Sequence, residues 1–175
     1  MTAVGPPPVH FRDRQEDDLG QLVAIARRVR SADRYPAYLP DNDFQRFLTE
    51  PEPRAAWVAV EDRRIVGHVA LNDESSHGAT AVVRDAGITE PVGYVARLLV
   101  DPSVRRTGIG RDLLAHALAA AIADGLVPVL DVVADARKAI SLYESTGWVR
   151  LGSADLALPD GTTITEHVYR GPEPA

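Results

Sequence analysis

The stretch from Val95 to Leu126 constrains this chain most, because it combines four kinds of local structure in a fixed order. Apolar residues 95–100 predict a strand, and Asp-Pro-Ser-Val at 101–104 predicts a turn. Residues 105–111 read Arg-Arg-Thr-Gly-Ile-Gly-Arg, a basic loop with two glycines. An Ala/Leu-rich segment at 109–124 then places its apolar residues on one side of a predicted helix.

The glycine-bearing loop has the features of an anion site. A helix that begins there presents unpaired backbone N–H groups and the positive end of its dipole to a ligand. Gly108 and Gly110 lack Cβ, so a phosphate can approach the main chain closely. Nearby arginines add charge-assisted donors. We predict a pyrophosphate site formed by Arg105, Arg106, Thr107, Gly108, Ile109, Gly110 and Arg111.

The spacing of the loop excludes two other common phosphate-binding loops. The chain has no Gly-x-x-x-x-Gly-Lys-Ser/Thr sequence, and a dinucleotide fingerprint would need glycine at position 113, which is Leu. What remains is Arg105-x-x-Gly108-x-Gly110 between a strand and a helix. This resembles the acetyl-CoA signature of the GNAT N-acetyltransferase superfamily, Gln/Arg-x-x-Gly-x-Gly/Ala. The alternative is an ordinary helix start with surface arginines.

The order of predicted elements indicates a mixed α/β fold in which helices cover a sheet. Residues 73–90 show weak patterning and are predicted to form a loop. Hydrophobic periodicity predicts helices over 16–30, 43–49, 109–124 and 136–145, and strands over 9–12, 55–61, 65–72, 92–100, 128–133, 148–158 and 163–169.

The resemblance implies a more specific architecture, the GNAT fold, over residues 9–170 as a single domain. This is a mixed α+β fold. Its central sheet is twisted and mostly antiparallel, with about six or seven strands and helices on both faces. Strands four and five splay apart, and acetyl-CoA lies in the opening. Residues 1–8, with Pro-Pro-Pro at 6–8, are predicted to be a disordered tail, and residues 171–175 a C-terminal tail.

The fourth predicted strand would contribute through its backbone. Where strands splay, unpaired N–H and C=O groups need partners. In the family the pantetheine amides provide them, and an N–H group there can polarise the thioester carbonyl. This assigns cofactor contacts to Leu98, Leu99 and Val100, whose side chains would equally suit a plain strand core.

The implied reaction is attack of an acceptor amine on the thioester of acetyl-CoA, the expected co-substrate. A lysine-like amine has a pKa of about 10.4, so reaching its neutral form at pH 7 costs about 4 kcal/mol. A general base, acting directly or through water, is therefore expected. The leaving thiolate, with a Cys-like pKa of about 8.5, is a weaker base and gains less from an acid.

Tyr143 is the candidate acid. Residues 139–148 read Ala-Ile-Ser-Leu-Tyr-Glu-Ser-Thr-Gly-Trp, similar to the family's Ala-x-x-Leu-Tyr-x-x-x-Gly-Phe segment, whose tyrosine lies beside the CoA sulfur. A phenol there can donate a proton or hydrogen-bond the sulfur. The alternative is a core tyrosine that packs one turn from Ala139. Many members carry asparagine seven residues before this tyrosine, where this chain has Ala136.

Asp131 is the candidate base, because it interrupts an apolar strand and shares a face with Val129 and Val133. A carboxylate among apolar neighbours has a raised pKa, which suits a general base. Some family members carry a catalytic glutamate at the matching position. The alternative is a solvent-facing aspartate or one paired with Arg97. Weaker candidates for the base are His68, Asp73 and Glu74.

Composition restricts the remaining classes of function. The net charge of −6 argues against nucleic-acid binding, and the absence of cysteine removes thiol and disulfide chemistry. The five histidines show no metal-ligand spacing, so no metal is expected, and no Gly-x-Ser-x-Gly elbow is present. The sequence shows neither a signal peptide nor a transmembrane run. We therefore expect a cytoplasmic protein that does not bind membranes.

The acceptor is the open part of the interpretation. The resemblance places Tyr35, Tyr38 and His68 on the acceptor side, where the N-terminal helices and the end of strand three lie. A small-molecule or peptide amine is expected, and because dimers are common in the family, a homodimer is one expected assembly. Two other functions stay open: a CoA-binding regulatory module without turnover, and an acyltransferase that uses a longer acyl-CoA.

Overall fold

The computed structural model describes residue 5 and residues 7–104 and 107–175. Arg105, Arg106 and most of the predicted N-terminal tail lie outside these ranges. The helices are α1 (Leu19–Asp33), α2 (Phe44–Thr49), α3 (His77–Asp85), α4 (Ile109–Ala123) and α5 (Arg137–Ser145). The strands are β1 (Val9–Asp13), β2 (Ala55–Glu61), β3 (Arg64–Asn72), β4 (Val92–Val100), β5 (Val127–Val133), β6 (Val149–Ala157) and β7 (Thr163–Arg170).

Over the described residues the strands form one seven-stranded sheet in the order β1-β2-β3-β4-β5-β7-β6. Neighbouring strands are antiparallel except β4 and β5, which are parallel. Their pairing covers only Val92–Tyr94 against Val127–Val129, although both strands continue further. The sheet therefore opens between β4 and β5, and the predicted mostly antiparallel sheet, splayed between its fourth and fifth strands, is confirmed.

A bulge in β4 lies just beyond Tyr94, the last β4 residue that pairs with β5. Ala70 pairs with Ala96 and His68 with Leu99, so β4 carries one more residue than β3 between these pairs. Arg97 has φ +55, a left-handed conformation that is unfavourable for a residue with a Cβ. Its carbonyl oxygen lies 2.8 Å from His68 Nδ1, and its guanidinium donates to the carbonyls of Leu48 and Pro51 at 3.2 and 3.1 Å. These bonds hold the bulge where β4 leaves β5.

Helices cover both faces of the sheet, as predicted. On one face α4 and α5 pack over a core that includes Leu113, Leu114 and Leu130. On the other face α1 and α2 pack against β2, β3 and the end of β4, and α3 covers Tyr94 and Val129. The opening between β4 and β5 therefore has an α4–α5 side and an α3 side.

The prediction of a loop over 73–90 was wrong, because the chain forms α3 there. The Ser76 side chain caps the helix by accepting from the Ala79 N–H at 3.0 Å. Ala79 and Val83, one turn apart, are buried against the sheet. Residues of modest helix propensity such as Gly78 and Thr80 weaken the sequence pattern, and tertiary packing outweighs them.

Candidate functional site

The start of α4 lies on the α4–α5 side and leaves several backbone donors without helical acceptors. Gly108 is the N-cap residue, has φ +85 and provides no side-chain cap. The first backbone bond of the helix runs from the Asp112 N–H to the Gly108 carbonyl at 3.0 Å, so the preceding amides have no acceptor within the helix. Among the described residues, a Cβ at Gly108 would meet nothing within 4 Å, so they leave the space in front of Gly108 open. The residues present therefore fit an anionic phosphate group.

The neighbouring loop residues fix this helix start. Ile109 is buried in the core beneath the helix, whereas Arg111 is exposed. The Thr107 hydroxyl donates to the Val104 carbonyl at 2.7 Å and closes the preceding turn. A Cβ at Gly110 would contact Val100 Cγ2 at 3.4 Å, so glycine allows the helix to lie close to β4. Arg105 and Arg106, predicted to bind the same phosphates, fall outside the described residues.

The end of β4 supplies the wall of the opening next to this loop. Leu99 and Val100 pair with His68 and Gly67 of β3, whereas the β4–β5 pairing ends at Tyr94. The Leu99 side chain is buried on the α1–α2 face, and Leu98 and Val100 are half-buried and pack toward the α4 core. The structure therefore gives all three side chains a packing role.

Tyr143 lies at the same opening and is largely enclosed. Its ring packs against Trp148 and Tyr169, each at 6.3 Å between ring centroids. Burial, followed by the neighbouring Tyr35 and the charge of Asp131, raises the pKa of the Tyr143 phenol. The residue is 9 % exposed, and within the described ranges its hydroxyl has no hydrogen-bond partner.

Asp131 lies on β5 two residues beyond the last β4–β5 pair, on the α3 side. The Ser75 hydroxyl donates to its Oδ1 at 2.7 Å. Burial raises the pKa of the Asp131 carboxyl, and the Ser75 hydrogen bond opposes that rise. The alternative of an ion pair with Arg97 is not what the structure shows, because the Arg97 guanidinium binds two backbone carbonyls.

Glu166 on β7 is a second carboxyl near Asp131, and the sequence interpretation missed it. It is 8 % exposed and accepts a hydrogen bond from Ser76 Oγ at 3.1 Å. Burial and the charge of Asp131 raise the Glu166 pKa. The available signal was the two-residue period of β7, which places Glu166 on the same face as Val168.

The residues predicted on the acceptor side have different environments. The half-buried Tyr35 ring packs on Phe47, and burial and the charge of Asp131 raise the Tyr35 pKa to about 12. Tyr38 is 38 % exposed on the segment between α1 and α2. His68 has no exposed surface, and burial lowers its pKa to about 4, so the ring is neutral at pH 7. Its nitrogens face the Arg97 carbonyl and Arg14 Nη1, which ties His68 to the bulge.

A cavity of about 440 Å³ opens on the α3 side, next to the point where β4 and β5 diverge. It is bordered chiefly by the end of β3, the turn that follows and the first half of β4. The residues concerned are Asn72, Glu74, Ser75, Ser76, Tyr94 and Ala96. Asp73 is outside this lining: it is 66 % exposed and is paired with Arg54 at 2.9 Å. Through Ser75 and Ser76 the cavity wall is hydrogen-bonded to Asp131 and Glu166.

The sheet therefore has a helix start on one side of the β4–β5 opening and two carboxyls on the other. The profile of the Acetyltransferase (GNAT) family matches residues 20–148. The chain belongs to the GNAT acetyltransferase family. Comparison with curated proteins gives no match.

Solved structures support the fold at low sequence identity. NAA60 from Arabidopsis thaliana in complex with a bisubstrate analogue is 19 % identical, with a TM-score of 0.71 over 93 % of this chain and 97 % of that one. The same protein in complex with acetyl-CoA is 17 % identical, with the same TM-score and coverage. The ribosomal-protein-alanine N-acetyltransferase from Brucella melitensis is 20 % identical, with a TM-score of 0.68 over 92 % and 98 %.

None of the described helices is both long enough and apolar enough to cross a bilayer.

Proposed function

We propose that this protein is an N-acetyltransferase that transfers the acetyl group of acetyl-CoA to a primary amine by direct attack in a ternary complex. One observation carries the proposal: Asp131, with its raised pKa, lies where β4 and β5 diverge, and its charge acts on Tyr143 at the same opening. A candidate base and a candidate acid would then flank one space, and the start of α4, whose free amides suit phosphates, would border it.

The donor would be held chiefly by backbone groups. The amides that begin α4 at Gly108, Ile109 and Gly110 would receive the pyrophosphate, and the backbone of β4 at Leu98–Val100, beyond the β4–β5 pairing, would contact the pantetheine arm. Thr107, Arg111, Arg105 and Arg106 complete the proposed donor site. When bound, acetyl-CoA supplies the thioester carbon that the amine attacks.

Asp131 would accept the proton of the attacking amine, directly or through one water. Burial makes its carboxylate a stronger base than an exposed aspartate, while the Ser75 hydrogen bond fixes the orientation of the carboxylate. As the nitrogen–carbon bond forms and the carbon–sulfur bond breaks, the amine loses one proton and the sulfur leaves as a thiolate.

Tyr143 would donate a hydrogen bond to that thiolate. Because burial raises the phenol pKa and a thiolate has a pKa of only about 8.5, complete proton transfer from Tyr143 is unfavourable. A hydrogen bond to the developing charge stabilises the leaving group without that transfer. Glu166, held by Ser76, would act on Asp131 as a positioning residue.

The test combines donor binding with turnover. Calorimetric titration with acetyl-CoA and with desulfo-CoA measures donor affinity, and release of free thiol over a panel of primary amines measures transfer. We expect binding in the micromolar range, turnover with at least one amine, and intersecting initial-velocity patterns typical of a ternary complex. Micromolar binding without turnover on any amine would favour a CoA-binding regulatory module, and a preference for longer acyl donors would change the assigned acyl group.

A further inference from the structure

His68 lies behind the β4 bulge, and the partners of its two ring nitrogens fix its tautomer. The side chain has no exposed surface. Its Nδ1 lies 2.8 Å from the carbonyl oxygen of Arg97, which can only accept a hydrogen bond. Its Nε2 lies 3.3 Å from Nη1 of Arg14, which can only donate. The ring is therefore neutral with its proton on Nδ1, and it donates to one backbone group of the bulge.

Four hydrogen bonds close a ring around this histidine. The Leu48 carbonyl, in the last turn of α2, accepts from Arg14 Nη1 at 2.8 Å and from Arg97 Nη1 at 3.2 Å. Together with the two bonds of His68, these bonds join both ends of Arg97, its carbonyl and its guanidinium, into one closed network. Arg97 is a non-glycine residue with φ +55 inside a strand, a conformation that persists only where its surroundings over-determine it. The ring therefore fixes the peptide between Arg97 and Leu98.

The orientation of this peptide decides where the Leu98 N–H points. His68 pairs with Val58 and Leu99, whose side chains are buried on the α1–α2 face, so the His68 ring lies on that face and holds the Arg97 carbonyl toward it. In a trans peptide the carbonyl and the following N–H point in opposite directions. The Leu98 N–H therefore points away from β3 and toward the α4–α5 side of the opening.

The pattern of the β-ladder gives the same direction. The Asp101 N–H donates to the Val66 carbonyl of β3 at 2.8 Å. Because the N–H groups of successive residues alternate between the two edges of a strand, counting back from Asp101 puts the Leu98 N–H on the edge away from β3. The pairing of β5 with β4 ends at Tyr94, so no described strand takes up this N–H.

We propose that His68 and Arg14 are positioning residues for acetyl transfer: they fix the Arg97–Leu98 peptide so that the Leu98 N–H donates to the thioester carbonyl oxygen of acetyl-CoA. The inference rests on the proposed function. Negative charge builds up on this oxygen as the amine attacks, and a donor that is already in place stabilises the charge without reorganisation. The ring lies on the face of the sheet opposite α4, so changes to it leave the amides that begin α4 untouched.

Infrared spectroscopy of acetyl-CoA labelled with carbon-13 at the acetyl carbonyl measures the polarisation of this bond without turnover. We expect the carbonyl stretch to lie at a lower frequency in the wild-type complex than in solution. His68→Leu removes the donor to Arg97, so the frequency should return toward its value in solution and kcat should fall about 10–100-fold. Calorimetric titration should show a change in acetyl-CoA affinity of less than about threefold, because the pyrophosphate would be held by the α4 amides.

His68→Asn is the conservative variant, because its amide nitrogen can take the place of Nδ1 and donate to the Arg97 carbonyl. It should keep the lowered carbonyl frequency and lose less of kcat than His68→Leu. His10→Leu is the matched control, since it makes the same substitution at an exposed position of the edge strand β1. It should change neither the frequency nor kcat.

Arg97→Gly and Arg97→Ala test the bulge independently of His68. Both variants lose the guanidinium bonds to the Leu48 and Pro51 carbonyls, but only glycine adopts φ +55 without a penalty. Arg97→Gly should therefore show the lower carbonyl frequency and the higher kcat of the two. This pair decides the question if His68→Leu does not fold.

The outcomes separate this inference from the proposed function. A lowered frequency that depends on His68, without acetyl transfer to any amine, would support the positioning role and contradict the proposed reaction. Transfer by the wild type with the same carbonyl frequency in the wild-type and His68→Leu complexes would overturn the positioning role while the acetyltransferase stands. Equal frequencies for bound and free acetyl-CoA, or for the two Arg97 variants, would overturn it as well.

Discussion

The two sides of the β4–β5 opening are built in different ways. The α4–α5 side presents backbone groups from one continuous stretch, the end of β4 and the start of α4. The α3 side presents side chains from distant parts of the chain, with Ser75 hydrogen-bonded to Asp131 and Ser76 to Glu166. The sequence separations are 56 and 90 residues. One side is therefore a local structure, and the other exists only in the folded protein.

The difference has an energetic consequence. Amides at a helix start carry partial charges that need no burial of an ion, so the α4 start can be ready for a ligand at little cost in stability. Asp131 and Glu166 are enclosed carboxyls whose charged forms are disfavoured, and burial raises the pKa of each. We expect substitutions on the first side to affect donor binding, and substitutions on the second to affect turnover, pH dependence and stability.

Gly108→Glu is expected to have the largest effect on donor binding. The side chain would place a carboxylate in the space in front of the α4 amides, at a residue with φ +85. We expect acetyl-CoA affinity to fall more than about 100-fold, since repulsion between like charges adds to the loss of phosphate contacts. Calorimetric titration measures it. Gly161→Glu is the matched control, because Gly161 also has φ +85 and open space around it, in the β6–β7 turn. Equal loss in both variants would point to backbone strain and contradict the donor-site assignment.

Asp131→Asn is expected to reduce kcat by about 10²–10⁴-fold, the range for loss of a general base. Asparagine keeps the shape and can still accept from Ser75, so acetyl-CoA affinity should stay within about twofold. Thiol-release assays measure kcat, and calorimetric titration measures acetyl-CoA affinity. A kcat close to that of the wild type would remove Asp131 as the base. Asp155→Asn, which changes an acceptor of Thr165 on the distal hairpin, is the control for a general loss of charge.

Tyr143→Phe is expected to lower kcat by about 10–100-fold and to leave donor affinity nearly unchanged, since only a hydrogen bond to the thiolate is lost. The control is Tyr169→Phe, which removes a buried hydroxyl from the adjoining ring, one that donates to Glu144 at 2.9 Å. That variant should retain most of kcat. Similar rates in the wild type and Tyr143→Phe would leave Tyr143 as a packing residue only.

Glu166→Gln is expected to shift the acidic limb of the pH dependence of kcat/KM to lower pH. Glutamine carries no charge at any pH and keeps a donor toward Asp131, so the substitution removes only the repulsion between the two carboxylates, which favours the ionised aspartate. A pH–rate profile between about pH 4 and 9 measures the shift. An unchanged profile with an unchanged kcat would contradict a role of Glu166 in positioning the base.

The smallest expected effect is on stability. The Glu166 pKa is raised in the folded state above its ordinary value of 4.5, so the folded protein holds this proton more tightly than the unfolded chain. Stability therefore falls as the pH rises above the unfolded pKa, and the full loss is present once the pH exceeds the folded pKa. Glu166→Gln should raise the Tm at pH 7 relative to wild type, and this difference should shrink below pH 4.5. A larger gain in Tm at acidic pH than at pH 7 would contradict the argument that burial raises the Glu166 pKa. Glu173→Gln, at an exposed pair with Arg170, is the control.

Several features of the fold and of the α4–α5 side of the opening could be predicted from the sequence. The strand–turn–glycine–helix pattern predicted β4 and α4 within one residue of their bounds, and the splay of the sheet followed from the resemblance to the GNAT family. Hydrophobic periodicity and the positions of glycines depend on residues that are close together in the chain, so both can be recognised from the sequence. The same pattern carries the donor-site prediction, which the titration with Gly108→Glu would test.

The α3 side of the opening has features that the sequence did not predict. Helix α3 was missed because its stability comes from packing on the sheet rather than from propensity. Glu166 was missed because nothing in β7 alone indicates that Asp131 lies on the neighbouring strand. The positive φ at Arg97 depends on the Leu48 and Pro51 carbonyls, and on His68 from β3.

The sequence by itself determined the family, the order of most elements and the loop suited to a phosphate, because each depends on residues close together in the chain. Only the tertiary structure decided that Ser75 and Ser76 line one cavity and donate hydrogen bonds to the carboxyls of Asp131 and Glu166. The physical reason is that burial and proximity set the pKa of a carboxyl and the ligand preference of a cavity, and both arise when distant segments pack together.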